Sequence, residues 1–149
     1  FGFYADATTP AVGRVMDAID LERLALAKRL QVPAVPFTDL FRRLGFIGDD
    51  VPSAGTAYDA VHRSELIHPI RSPPALDHRY LHEDVGWGLV PWMQLAAAVG
   101  CPTPAIDALT YLAGVMNGVD YVKQGLTLGR MGLAGKSADE IRAYVRGPA

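Results

Sequence analysis

The sequence predicts an all-α domain, and three observations predict it. Apolar residues recur at helical spacing along most of the chain. Helix-start chemistry stands ahead of those stretches at Thr9-Pro10, Thr103-Pro104 and Ser137-Ala138-Asp139-Glu140. No two alternating apolar/polar runs are joined by a hairpin turn. The 149 residues, 16.0 kDa in all, have the length of one domain, residues 1–149, and such a chain buries about two thirds of its unfolded surface.

Phe1-Gly2-Phe3-Tyr4 opens at full aromatic density without an initiator methionine and reads as a strand end inside a longer polypeptide. At Thr9-Pro10 a hydroxyl can cap orphan amides, and the proline's missing N–H costs nothing in a first turn. From there to Pro33 the spacing predicts one helix about 30 Å long. Val12, Val15, Met16, Ile19, Leu26 and Leu30 form one apolar stripe, and Leu21, Leu24 and Ala25 begin a second. Two oily faces fit a helix sandwiched between its own core and a second subunit, as in a homodimer. The interleaved Asp17, Asp20, Glu22 and Arg23 read as solvated charges or helix-spaced ion pairs.

Pro33 and Pro36 end that helix, Phe37 to Leu44 forms a short second one closed by Gly45, and Phe46 to Gly55 is a turn-rich surface loop. Thr56 to Leu66 regains helical spacing, after which Pro69, Pro73 and Pro74 enforce an extended passage. Leu89 to Val99 is helix-prone with Pro91 near its first turn, and Gly100-Cys101-Pro102 stops it. Ile106, Leu109, Ala113 and Met116 share a face of the helix that begins at Thr103-Pro104. Leu126 to Leu133 reads as a short helical turn. A last helix follows the Ser137…Glu140 capping box, with Ile141 and Val145 on one side and its end at Gly147-Pro148. The sum is about six or seven helices.

Composition excludes several functions. A net charge of -2 provides no basic field for nucleic acid or anionic lipid. The best apolar run, Gly86 to Gly100, carries Gln94 and Pro91 and falls short of the roughly 18 residues of a membrane span. There is no basic stretch followed by an apolar signal core at the start, and one cysteine, Cys101, cannot form an internal disulfide. Cytoplasm is the compartment these features point to.

The chemistry concentrates in His78-Arg79-Tyr80-Leu81-His82-Glu83-Asp84-Val85, which runs at once into an apolar, glycine-broken segment. Arg79 has the planar fork that grips a carboxylate through two parallel hydrogen bonds. Asp84 can orient an imidazole acting as acid or base. The structural alternative is an Arg79–Asp84 ion pair, or Asp84 as a helix cap. His78 and His82 stand four apart, with Glu83, Asp84 and His68 as further oxygen or nitrogen donors. Without a His-Glu-x-x-His signature or a cysteine pair, no metal site is expected. Cys101, between Gly100 and Pro102, reads as a small buried apolar residue. No Gly-x-Ser-x-Gly elbow or glycine-rich phosphate-binding pattern is present, so the main cradle of any bound nucleotide lies outside these residues.

In order along the chain, Phe3-Tyr4, Thr8-Thr9-Pro10-Ala11-Val12, Asp20-Leu21-Glu22-Arg23, Arg79-Tyr80 with Glu83-Asp84-Val85, Gly88-Leu89-Val90-Pro91, Gly100-Cys101-Pro102-Thr103-Pro104, Thr127-Leu128 and Met131-Gly132-Leu133 resemble the helical C-terminal domain of the opine dehydrogenases, which include the octopine and nopaline dehydrogenases. The likeness covers nearly the whole chain. It implies a multi-helix fold resembling the 6-phosphogluconate dehydrogenase C-terminal-like helical domain, preceded by an N-terminal Rossmann domain that binds NAD or NADP. It also implies reductive condensation of an amino acid with a 2-oxo acid, and dimerisation in several members. By the Arg-Tyr-x-x-Glu-Asp pattern, the family's carboxylate-holding arginine falls at Arg79 and its histidine-pairing aspartate at Asp84. The histidine itself would precede Phe1, so this chain alone is expected to be inactive.

Two departures stand out: Leu126 where the family often has arginine before Thr-Leu, and Ala5-Asp6-Ala7 in place of a turn richer in glycine and glutamate. The first puts an anion contact there in doubt, and the second changes how the chain leaves the nucleotide domain. Two other readings stand beside this one. One is a helical dimerisation or interaction module without chemistry. The other is the helical domain of a ketopantoate-reductase-like dehydrogenase with a lysine acid, for which Lys28 and Lys123 lack a supporting context.

Overall fold

The computed structural model describes residues 1–52 and 55–146, and among them the regular structure is helical. The chain divides into two units, one built from Phe1–Leu24 with Ala34–Pro74, the other from Ala25–Pro33 with the residues from Ala75 on. The first helix, α1 (Pro10–Arg29), contributes to both and has the 20 residues its sequence promised. Thr9 Oγ1 accepts a hydrogen bond from the Val12 amide at 3.3 Å, as the Thr-Pro start requires.

In the first unit, α1 meets α3 (Ala57–Arg63) at Gly13, where a Cβ would stand 2.6 Å from the Tyr58 Cβ. The glycine is the buried point of this turn. Val12 and Val15, on the apolar stripe, stay 42% and 46% exposed. Asp17 and Asp20 have a use that spacing along α1 does not reveal. Asp17 Oδ1 accepts from the Ala57 amide at 2.8 Å, and Asp20 Oδ2 from the Phe37 amide at 2.9 Å, the first residues of α3 and α2 (Phe37–Arg43). Each carboxylate satisfies an orphan donor at the start of another helix. Asp20 also makes the helix-spaced ion pair expected of it, with Arg23 at 2.6 Å.

α2 closes at Gly45, whose φ of +77° suits a residue without a Cβ. Thr56 and Asp59 cap α3 reciprocally. The stretch expected to be a surface loop behaves otherwise: Ile47 and Val51 are buried and cluster with Ala60, with Phe37 and Phe41 packed against them. Helices of seven residues cannot close a core alone, so the turn between them contributes two side chains. The chain start makes an isolated antiparallel bridge, Gly2 with Arg71, reinforced by Phe3 N donating to the Ile70 carbonyl at 2.8 Å.

In the second unit, α4 (Arg79–Glu83), a π-helical segment (Asp84–Leu89) and α5 (Val90–Ala98) follow one another without a break. Pro91 sits in the first turn of α5. Leu26, Leu30, Ala96, Leu133 and Ile141 form a buried cluster with Trp92, Leu95 and half-buried Cys101 against it. α6 (Pro104–Asn117) buries Ile106 and Ala113 as predicted, but also Thr110, and leaves Met116 54% exposed. The Thr103 hydroxyl donates to Asp107 Oδ1 at 3.1 Å and does not cap a backbone amide. Gly118, with φ +62°, ends α6.

Next comes α7 (Tyr121–Gln124), and Leu126 to Leu133 forms turns where a short helix was expected. Asp120 caps α7 by accepting from the Lys123 amide at 3.2 Å. Leu126 then gives its N–H to the Gly86 carbonyl at 2.8 Å, and a Cβ at Gly125 would collide with that same oxygen. α8 (Ala138–Arg146) opens on the Ser137–Glu140 capping box, with Glu140 Oε2 accepting from the Ser137 amide at 2.7 Å. Ile141 is buried, whereas Val145 is exposed and not on the covered side. The helix end read at Gly147-Pro148 lies outside the described residues. No helix among the described residues is long and apolar enough to cross a membrane.

Candidate functional site

The charged stretch folds into α4 because His78 supplies the cap: its backbone is extended, and its Nδ1 accepts from the Tyr80 amide at 3.3 Å. Arg79 opens the helix, with a side chain 67% exposed. Its guanidinium donates to Glu83 one turn on, at 3.0 Å to Oε2 and 3.3 Å to Oε1, and lies 5.2 Å from the Tyr80 ring centre. The Arg79–Asp84 ion pair considered from spacing is thus replaced by an Arg79–Glu83 pair. Residues four apart face each other on a helix, and residues five apart do not.

Asp84 follows inside the helical run, with φ −66° and ψ −37°, so it is no N-terminal cap. It begins the π-helical segment and is exposed. Among the described residues, every other aspartate accepts a hydrogen bond or joins an ion pair. The Asp84 carboxylate does neither. Partial burial pushes its pKa up, the neighbouring Glu83 carboxylate adds to this, and Arg79 opposes it. One π turn is rare and concentrates at functional places in helices. Here it carries Asp84 and, three residues on, Trp87, 56% exposed.

The two histidines are engaged separately. His78 serves the backbone of α4, and both ring nitrogens of His82 are occupied: Nδ1 by the Tyr121 hydroxyl at 2.7 Å and Nε2 by Asp77 Oδ1 at 2.9 Å. Among the described residues, no group of three or more His, Cys, Asp or Glu side chains is gathered to hold a metal ion. Burial, and then the Asp77 charge, push the Tyr121 pKa up, which keeps the phenol a hydrogen-bond donor. Sequence reading did not find the Asp77–His82–Tyr121 chain. Tyr121 is 39 positions from His82, and no local spacing links them. The glycines at 86 and 88 ahead of Pro91 were the available sign of an irregular turn after Asp84.

A family profile described as NAD/NADP octopine/nopaline dehydrogenase, alpha-helical domain, matches residues 1–117. Opine dehydrogenase of Arthrobacter sp. (strain 1C) is 35% identical over 145 residues, covering 97% of this chain and 39% of that protein. Protein ocs of Agrobacterium vitis is 29% identical with the same coverage. Tauropine dehydrogenase of Arabella iricolor is 25% identical over 132 residues, 78% of this chain and 33% of that protein. With the helical architecture already in place, these matches assign the chain to the family of octopine/nopaline dehydrogenase alpha-helical domains. It spans about 39% of the length of the first two relatives.

Proposed function

We propose that this chain is the substrate-closing helical domain of an NAD(P)-dependent, cytoplasmic opine-type dehydrogenase. Arg79 holds a substrate carboxylate, and Asp84 pairs with a histidine outside this chain. The amine of an amino acid condenses with the carbonyl of a 2-oxo acid, losing water, and the resulting imine takes a hydride at carbon and a proton at nitrogen. The hydride donor belongs to the rest of the enzyme. A dinucleotide cradle needs a strand, a glycine turn and a helix, and the described residues contain no named strand.

The observation that carries this reading is the unpartnered Asp84 carboxylate, held back from ionising beside an exposed arginine. An imidazolium brought against it would find an acceptor with no competing partner and would stabilise its charge. Arg79 is suited to its part for a related reason. Its present partner is an exposed surface pair worth about 0–1 kcal/mol, so an incoming carboxylate can take the place of Glu83 at small cost. In the complete polypeptide, with pyruvate, amino acids and NAD(P)H, Asp84→Asn should lower kcat by about 10² to 10⁴. Arg79→Ala should chiefly raise the KM for the oxo acid. Wild-type kinetics in both variants would remove the assignment.

A second reading, a homodimeric interaction module, draws on the exposed Tyr111, Leu112, Val115 and Met116 along α6. Sedimentation of the complete polypeptide with two of these changed to charged residues tests it. An unaltered molecular mass, paired with loss of turnover in Asp84→Asn, leaves the dehydrogenase reading alone.

A further inference from the structure

α4 presents an anchoring problem. It has five residues and none of them is buried, yet Arg79 is its first residue and Asp84 comes directly after its last. It runs on into the π-helical segment, whose Val85, Gly86 and Leu89 are buried, and within its own last turn His82 supplies a polar tie to the rest of the unit. Its Nδ1 meets the hydroxyl of Tyr121, a residue of α7 only 3% exposed. Its Nε2 meets Asp77 in the approach to the helix. Tyr121 also packs against the π-helical segment, where its ring lies 3.6 Å from the position a Gly86 Cβ would take.

We propose that His82 is a positioning residue for this site: clamped between Tyr121 and Asp77, it fixes the orientation of α4 and thereby of Arg79 and Asp84. The inference rests on the dehydrogenase reading for what the positioning serves. The donors and acceptors assign the tautomer. A phenol kept protonated donates to Nδ1, and Asp77, which can only accept, takes the Nε2–H. With the proton on Nε2, both ends of the clamp are satisfied together. An asparagine at this position can place its amide oxygen near that of Nδ1 and still accept from Tyr121. A glutamine reaches toward Asp77 and loses Tyr121.

The test uses the complete polypeptide with His82→Gln, His82→Asn and Tyr121→Phe, the last removing one hydroxyl from an otherwise unchanged ring. Hydrogen exchange is read first. The amides of residues 79–84 should exchange about ten-fold faster in Tyr121→Phe and His82→Gln, close to wild type in His82→Asn, with α6 unchanged. Nitrogen NMR should find the His82 proton on Nε2. Kinetics follow: kcat/KM for the oxo acid should fall about 10- to 100-fold in Tyr121→Phe, as is usual when a supporting hydrogen bond to a functional side chain is removed. On an Arg79→Ala background the same change should cost much less, because the orientation it protects no longer matters. Unchanged exchange over 79–84, or a fully additive double variant, overturns the proposal. If the exchange pattern is as expected but the wild-type protein turns over no pair of amino acid and oxo acid, the dehydrogenase reading fails and the clamp itself survives.

Discussion

Partial burial beside a second carboxylate makes Asp84 reluctant to ionise, and the direction of that reluctance fixes a pH dependence. The folded-state pKa lies above the unfolded value. The folded form therefore binds the proton more tightly, and the stability this gives is present below the unfolded value and lost as pH rises through the folded one. At neutral pH the charged Asp84 thus weakens the fold slightly. Asp84→Asn should melt a little higher than wild type at pH 7, and the difference should close on acidification through the carboxylate range. Thermal melts across pH 4 to 8 read it directly. A residue that lowers stability and is needed for turnover is the mark of a functional group, whereas a structural aspartate such as Asp20 would lose stability on the same change. At this scale the sequence was informative about residue type and spacing: Arg79 and Asp84 stood out through the fork and the carboxylate. It could not show that Glu83, not Asp84, takes the arginine, because that depends on which side of a helical turn each one occupies.

Elements with local signals were legible for the same reason that they form. The Thr9-Pro10 start, the Gly45 stop and the Ser137 capping box depend on residues within a few positions of each other. The Ser137 box was read from its spacing, and Thr56–Asp59 is its equivalent at α3. Thr56→Ala removes the acceptor for the Asp59 amide and should cost about 1 kcal/mol, measurable by denaturant unfolding. The elements that escaped are those set by distant partners. The turns of 126–133 are tied instead through the Leu126 amide to Gly86, forty positions earlier, which no local spacing shows. Gly125→Ala is the sharper test of that junction, because its Cβ would enter the space of the Gly86 carbonyl oxygen. The variant should lose about 1–3 kcal/mol through overpacking. It should also shift the π-helical segment, so that turnover falls further than in Thr56→Ala at matched stability. Equal losses of turnover in the two variants would mean that the Gly86–Leu126 junction only supports the fold.

At the scale of the whole molecule, the proposal separates what these residues do from what they require. The family match covers residues 1–117, the chain spans 39% of its first relative, and the described residues contain no strand-turn-helix cradle for a dinucleotide. On that proposal Arg79 holds a carboxylate, Asp84 needs an imidazole from outside this chain, and neither residue can supply a hydride. The isolated chain should therefore show no oxidation of NADH or NADPH above buffer with pyruvate and mixed amino acids, and no measurable dinucleotide binding by calorimetry. The complete polypeptide should do both, and Asp84→Asn in it should lower turnover by about 10² to 10⁴ while leaving dinucleotide binding intact, because the carboxylate acts after the cofactor is seated. Robust cofactor oxidation by the isolated chain would overturn this division of labour. It would place the hydride-donor site among these helices, where neither their backbone geometry nor their glycines provide one.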